Sequence, residues 1–182
     1  MNNYYKHIGK VLISSEELDK RIGELADRIN TEYKDSNSLV IVGILKGSFV
    51  FLGDLIKKIN IPVKVEFIRV SSYEGTSSTG KMKLNTPFTG DIKGKDVILV
   101  EDIVDTGLTI SFLNDLFKKE QARSIKVCTL LSKPGSRKVH VNVDYEGFKI
   151  GNDFIVGYGL DYNGMYRNLP YIALYNQKID DK

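Results

Sequence analysis

Apolar positions follow two rhythms along the chain. Leu18, Ile22, Leu25 and Ile29 recur at helical spacing, and Ser14 with Glu17 stands at the start of that stripe. A hydroxyl residue followed three positions later by Glu is a capping box, so the spacing predicts a helix from there to about Tyr33. Residues 39–45 are continuously apolar, which suits a strand buried on both faces. Phe51, Leu52, Leu55, Ile56 and Ile59 form a second helical stripe within residues 48–59. Strands are expected at 62–70, 97–100 and 125–131. A third helix is expected at 109–119, with Ile110, Leu113, Leu116 and Phe117 inward. Residues 71–94 differ: they are rich in Ser, Thr and Gly, with little periodicity. A polar loop of that length in a compact domain is usually functional or disordered.

Strands alternating with helices predict an α/β protein, a parallel sheet with helices on both faces. Beyond residue 132 the rhythm breaks. Residues 139–143, 153–158 and 171–175 read as short strands without long helices between them. They are expected to give an edge strand and part of a small hood lobe. The organisation expected is a single domain over 1–182, with a core at about 36–150 and a hood from about 1–13 and 151–182.

Composition narrows the function classes. With 182 residues, 42% hydrophobic, the chain can bury one real core. The 26 basic and 23 acidic residues leave a net charge of +3, spread without a basic block. That argues against a nucleic-acid partner. One cysteine, Cys128, lies in the apolar run 125–131 and reads as a buried structural thiol, which leaves no disulfide within the chain. Residues 1–10 are polar and lack a signal-peptide core, and no run is long enough to span a membrane. A cytoplasmic location with no membrane partner is the expectation.

The densest chemistry lies at residues 97–109. An apolar strand runs into Glu101 and Asp102, and a short loop with Asp105, Thr106, Gly107, Leu108 and Thr109 opens into a helix. Ligands of open α/β sheets bind at strand carboxyl ends. A helix start behind a glycine turn offers free N–H groups to phosphate, and Thr106 and Thr109 add hydroxyls. Glu101 and Asp102 suit either two neighbouring ribose hydroxyls or a magnesium ion that also holds phosphate oxygens.

Two acids, two apolar residues, Asp-Thr-Gly, one free position and Thr resemble the phosphoribosyl-pyrophosphate signature of type I phosphoribosyltransferases. Further segments resemble the hypoxanthine-guanine branch. Gly43-Ile44-Leu45-Lys46-Gly47-Ser48 is similar to its pyrophosphate-binding loop. Ser71-Ser72-Tyr73 with Ser77-Ser78-Thr79-Gly80 is similar to its mobile active-site loop. Leu131-Ser132-Lys133-Pro134, with Arg137 following, is similar to its purine-recognition strand end. Residues 153–163 and Arg167 are similar to its base-covering segment. The match covers nearly the whole chain, in order.

The resemblance implies a Rossmann-like core and a purine salvage enzyme. Such an enzyme transfers a phosphoribosyl group from phosphoribosyl pyrophosphate to hypoxanthine or guanine, giving IMP or GMP. It implies that Asp105 takes the proton from purine N7 as general base. The 5′-phosphate is expected in the nest of Asp105, Thr106, Gly107, Leu108 and Thr109. Glu101 and Asp102 are expected at the ribose hydroxyls, and with Asp161 at Mg2+. Lys133 is expected at the purine 6-oxygen, Phe154 against the ring, and the carbonyls of Ile155 and Asp161 at its edge. Lys46, Gly47 and Arg167, assisted by Arg137, are expected at pyrophosphate, and Ser72 and Tyr73 in a loop that closes over substrates. A homodimer or homotetramer is implied. Two alternatives fit less well. A phosphoribosyltransferase for adenine, uracil or orotate shares the Asp-Thr-Gly loop but not Lys133-Pro134 or the aromatic segment. An RNA-binding regulator on this fold needs a basic face.

Overall fold

The computed structural model describes residues 5–72 and 82–176. Its elements run β1 (Ile8–Ile13), α1 (Ser15–Glu32), β2 (Leu39–Leu45), α2 (Phe49–Lys58), β3 (Val63–Ser72) and β4 (Met82–Leu84). They continue with β5 (Asp96–Val104), α3 (Leu108–Lys119), β6 (Ser124–Ser132), β7 (Tyr145–Lys149), β8 (Ile155–Val156) and β9 (Ile172–Tyr175). The capping box forms: the Glu17 N–H donates to Ser14 Oγ at 3.2 Å and the Ser14 N–H to the Glu17 carboxylate at 2.8 Å.

A six-stranded sheet has the order β4-β3-β2-β5-β6-β7. The pairs from β3 to β7 are parallel, and β4 is antiparallel to β3. Alternate side chains of its strands serve two cores. Ile41, Ile98, Val100 and Cys128 pack with α1 and α2, while Val40, Val42, Leu99 and Val127 pack with Ile110, Leu113 and Phe117 of α3. Helices thus cover both faces, as the alternation predicts. Burial pushes the Cys128 thiol up, so it packs as an uncharged group. A second sheet, β1-β9-β8, joins the two ends of the chain around Val156, Tyr166, Leu169 and Tyr175. No helix among the described residues is long and apolar enough to cross a membrane.

Pairing register opens the cleft. β2 and β5 part after Gly43↔Val100, whereas β5 and β6 stay paired to Val104↔Ser132. Since β2 leads through α2 to β3 on one side and β5 through α3 to β6 on the other, this gap is the topological switch point of the sheet.

Several expectations need correction. β5 does not end before its acids: pairing with β6 carries it through Glu101 and Asp102 to Val104. Residues 139–143 alternate like a strand but pair with none. Lys138 and Val139 donate their N–H groups to the Thr106 carbonyl, and Val139 and Val141 pack against Gly107. The edge strand is β7 instead. The strand expected at 153–158 shrinks to Ile155–Val156, because left-handed residues follow it. β4 takes up part of the expected polar loop, and its three residues are too few to show a period. β1 was not expected as a strand, since register shifts interrupt its pairing and leave Val11 and Leu12 exposed.

Candidate active site

Successive strand residues point to opposite faces. Glu101 therefore lies on the α3 face and Asp102 on the face of α2, so the two carboxylates do not sit side by side. Asp102 is buried against Gly47, where a Cβ would come within 1.6 Å of its Oδ2. Only glycine lets the turn after β2 approach the acid that closely. Burial first, then the Asp161 carboxylate, pushes the Asp102 carboxyl up to about 6, against its backbone hydrogen bonds and the Arg167 charge.

Glu101 lines a small pocket of about 80 Å³ with Asp105, Thr106, Gly107 and Thr109. Its Oε2 is enclosed and lacks a hydrogen-bond partner among the described residues, although other parts of the residue stay open. Burial, with the Asp102 charge adding, holds the Glu101 carboxyl well above the usual range. Gly107 at φ 82° turns the chain into α3. The Leu108 N–H lies 3.4 Å from Thr106 Oγ1, and the first N–H groups of the helix face the pocket end. Asp105 stands exposed at its rim.

Arg137 holds this loop from behind. Its Nη1 donates to the carbonyls of Val104 and Asp105, the latter at 2.8 Å, and its Nη2 to Ser132 Oγ at 2.9 Å. The guanidinium bonds are all made to the backbone of the Asp105 loop and to Ser132.

On the far side, the Lys133 N–H donates to the Val104 carbonyl at 3.0 Å and its Nζ to the Asp153 carbonyl at 2.9 Å. The next residue in the chain, Phe154, is 43% exposed, and its ring is braced edge-on by Tyr162 and Tyr175, each at 5.8 Å. Ile155 is buried. Arg167 pairs with Asp161 at 2.5 Å, and the Asp161 carboxylate also accepts the Gly164 N–H at 2.7 Å. Lys46 is exposed at the end of β2. Ser72 ends β3, while Tyr73 and most of the expected mobile loop lie outside the described residues. No three His, Cys, Asp or Glu among the described residues form a ready cation cage. A wider, mostly apolar groove of about 720 Å³ beside α2, lined by Phe49, Val50, Met165 and Leu169, shares Gly164 and Arg167 with these residues.

The sequence profile of the phosphoribosyl transferase domain matches residues 14–163, from the helix cap of α1 to beyond Asp161. This chain belongs to the phosphoribosyltransferase family. It is 46% identical over 171 residues to the hypoxanthine-guanine phosphoribosyltransferase of Bacillus subtilis, covering 93% of this chain and 94% of that one. It is also 46% identical over 176 residues to the bifunctional protein TilS/HprT of Listeria monocytogenes, and spans 27% of the length of that relative. The crystal structure of a hypoxanthine phosphoribosyltransferase from Staphylococcus aureus superposes with a TM-score of 0.90 at 39% identity, covering 96% of this chain and 95% of that one.

The chain carries a pair to which sequence reasoning gives no role. The Tyr158 hydroxyl, three residues before Asp161, donates to Asp54 on α2. Glycines on both sides of Tyr158 are the one local sign of an unusual backbone there.

The enclosed Glu101 carboxyl gives a stability test. Its folded-state pKa lies above the ordinary value of 4.5, so the native state binds this proton more tightly than the unfolded chain. Stability from this group is present below the unfolded value and is lost as pH rises through the folded one. Glu101→Gln should therefore raise the Tm of the ligand-free phosphoribosyltransferase at pH 8 by ~2–8 °C, with the gain fading towards pH 4. Thermal scans across that range check it; an equal shift at every pH would count against it.

Proposed function

We propose that the protein transfers the 5-phosphoribosyl group of 5-phospho-α-D-ribose 1-diphosphate to hypoxanthine or guanine, releasing pyrophosphate with IMP or GMP. One observation carries the choice of base: Lys133 Nζ bonds the Asp153 carbonyl, one residue before the exposed Phe154, while its N–H bonds Val104, which lines the small pocket at the start of α3. A flat heterocycle laid on Phe154 would present an edge to Lys133, and a lysine there favours an accepting oxygen. The names of the relatives agree with that reading.

In this assignment the N–H groups of residues 106–109 and the Thr106 and Thr109 hydroxyls take the 5′-phosphate. Asp105 at the pocket rim accepts the purine N7 proton as the base attacks the anomeric carbon. Carbon–oxygen cleavage leaves positive charge on the sugar, as in glycoside cleavage, and Glu101 and Asp102, one from each face of β5, reach the ribose hydroxyls. Lys46, the Gly47 backbone and Arg167, assisted by Arg137, balance the leaving diphosphate. Arg137 also fixes the Asp105 loop. Residues 72 and 73 begin the segment proposed to cover the substrates, excluding water that would capture the sugar.

The acids also fit Mg2+. Asp102 is buried, with the Asp161 carboxylate and the Arg167 charge both within its field. Without a three-carboxylate cage, the ion would be shared between one or two carboxylates and the diphosphate, as Mg2+ commonly is. When bound, it supplies charge neutralisation to the leaving diphosphate. Excess chelator should abolish turnover, and restored magnesium should recover it; full activity in chelator would remove the ion from the reading.

We further propose a cytoplasmic enzyme that works as a homodimer or homotetramer on small molecules. An assay with phosphoribosyl pyrophosphate, magnesium and, in turn, hypoxanthine, guanine, adenine, uracil and orotate tests the function. Turnover is expected with the first two. Turnover with adenine, uracil or orotate and none with hypoxanthine would overturn the proposal.

A further inference from the structure

We infer that Asp54 and Tyr158 are positioning residues for the pyrophosphate side of the site: their hydrogen bond ties the turn at residues 157–159, which clasps Arg167 and presses on Gly47, to helix α2. This rests on the pyrophosphate assignment proposed above for Gly47 and Arg167.

The turn is an unusual piece of backbone. Gly157, Tyr158 and Gly159 have φ of 102°, 49° and 98°, three left-handed residues in succession. Glycine tolerates that region, but a bulky side chain there costs ~1–3 kcal/mol and persists only where its surroundings over-determine it. Tyr158 is held on several sides. Its ring is buried, its N–H donates to the Leu169 carbonyl at 2.8 Å, and its hydroxyl donates to Asp54 Oδ2. Burial, with the Asp54 carboxylate adding, pushes the phenol up, so it stays a donor. Burial alone would raise the Asp54 carboxyl, but hydrogen bonds from Lys57 and Tyr158 outweigh it and keep the group ionised. A donor facing a carboxylate makes a charge-assisted bond, stronger than a neutral one.

The turn touches two parts of the site at once. Gly159 donates its N–H to the Arg167 carbonyl at 2.9 Å and accepts from Arg167 Nη1 at 2.5 Å, so the arginine is held by both main chain and side chain. The same glycine lies so close to Gly47 that a Cβ on it would fall 2.1 Å from the Gly47 carbonyl oxygen. Helix α2, which carries Asp54, begins two residues after Gly47. One side-chain hydrogen bond therefore closes a ring through α2, the Gly47 turn, Gly159 and Arg167. Lys133 and Phe154, on the base side, are outside that ring.

The test separates positioning from simple packing. Tyr158→Phe keeps the ring and removes the donor; Asp54→Ala removes the acceptor; Asp54→Asn keeps an acceptor without the charge. Binding of magnesium pyrophosphate is measured by calorimetry without any base, alongside KM for phosphoribosyl pyrophosphate, KM for hypoxanthine, and Tm. Tyr158→Phe and Asp54→Ala should weaken pyrophosphate binding and raise the phosphoribosyl pyrophosphate KM by ~5–20-fold, a fraction of the ~10–150-fold that a lost hydrogen bond to a charged partner corresponds to, since the pair acts through Gly47 and Arg167. The hypoxanthine KM should stay within about twofold, since the base side lies outside the ring. Asp54→Asn should recover part of the loss. Unchanged pyrophosphate binding in Tyr158→Phe would overturn the inference, as would equal weakening of both substrates together with a matching fall in Tm. A wild-type protein that binds no magnesium pyrophosphate would instead bring down the site assignment beneath it.

Discussion

Asp105→Asn is expected to lower kcat by ~10²–10⁴ while changing the affinity for the nucleotide product little. The loop that carries it is fixed by contacts the substitution leaves alone. Arg137 holds the Asp105 carbonyl, Lys138 and Val139 hold the Thr106 carbonyl, and Gly107 supplies the left-handed turn into α3. Asparagine has the same shape and can still hydrogen-bond, but it cannot accept the proton that the attacking purine must lose. Single-turnover rates and product dissociation constants for the two proteins separate the effects. Near wild-type turnover would remove Asp105 from the mechanism, and an equal loss of binding would point to the phosphate nest.

Lys133→Gln is expected to lose much activity on hypoxanthine and guanine while the penalty against adenine narrows. The ammonium offers three donors and no acceptor. An oxygen at purine position 6 satisfies it, whereas the amino group of adenine sets donor against donor. Sites built to bond one group reject an analogue lacking it by ~10⁴ or more in favourable cases. In the ligand-free protein Lys133 Nζ rests on the Asp153 carbonyl at 2.9 Å, so the base would compete with a backbone oxygen for it. Glutamine offers a donor and an acceptor and should blur the distinction. The readout is kcat/KM for all three bases in both proteins. An unchanged ratio of hypoxanthine to adenine would move discrimination from Lys133 to the carbonyls near Ile155 and Asp161.

What the sequence discloses follows the range of the interactions. Helix α1 is legible almost to the residue, because its cap and its apolar stripe are both local. β2 is legible because a strand buried on both faces must be apolar throughout. The acids and the Asp105 loop are legible as a contiguous motif, but the strand beneath them is not, since its length is set by pairing with β6. Residues 139–143 mislead for the matching reason: their alternation serves packing on Gly107 instead of a ladder. The posture of Arg137 and the bond between Asp54 and Tyr158 depend on partners far along the chain, and no periodicity carries them.

The two sheets differ greatly in how much they hold. β5 lies deep within six strands, whereas β8 contributes only Ile155–Val156 to a sheet whose pairing with β1 is interrupted. Local opening free energies follow that difference in buried contacts. Amides of β8 and β9 should exchange with solvent deuterium well before those of β5, which should report global unfolding. Phe154 and Ile155, which would touch the base, thus sit on backbone that can open by itself, while the strand that leads into the proposed 5′-phosphate loop opens only when the whole chain does. Solvent would reach the two ends of one substrate pair on different clocks.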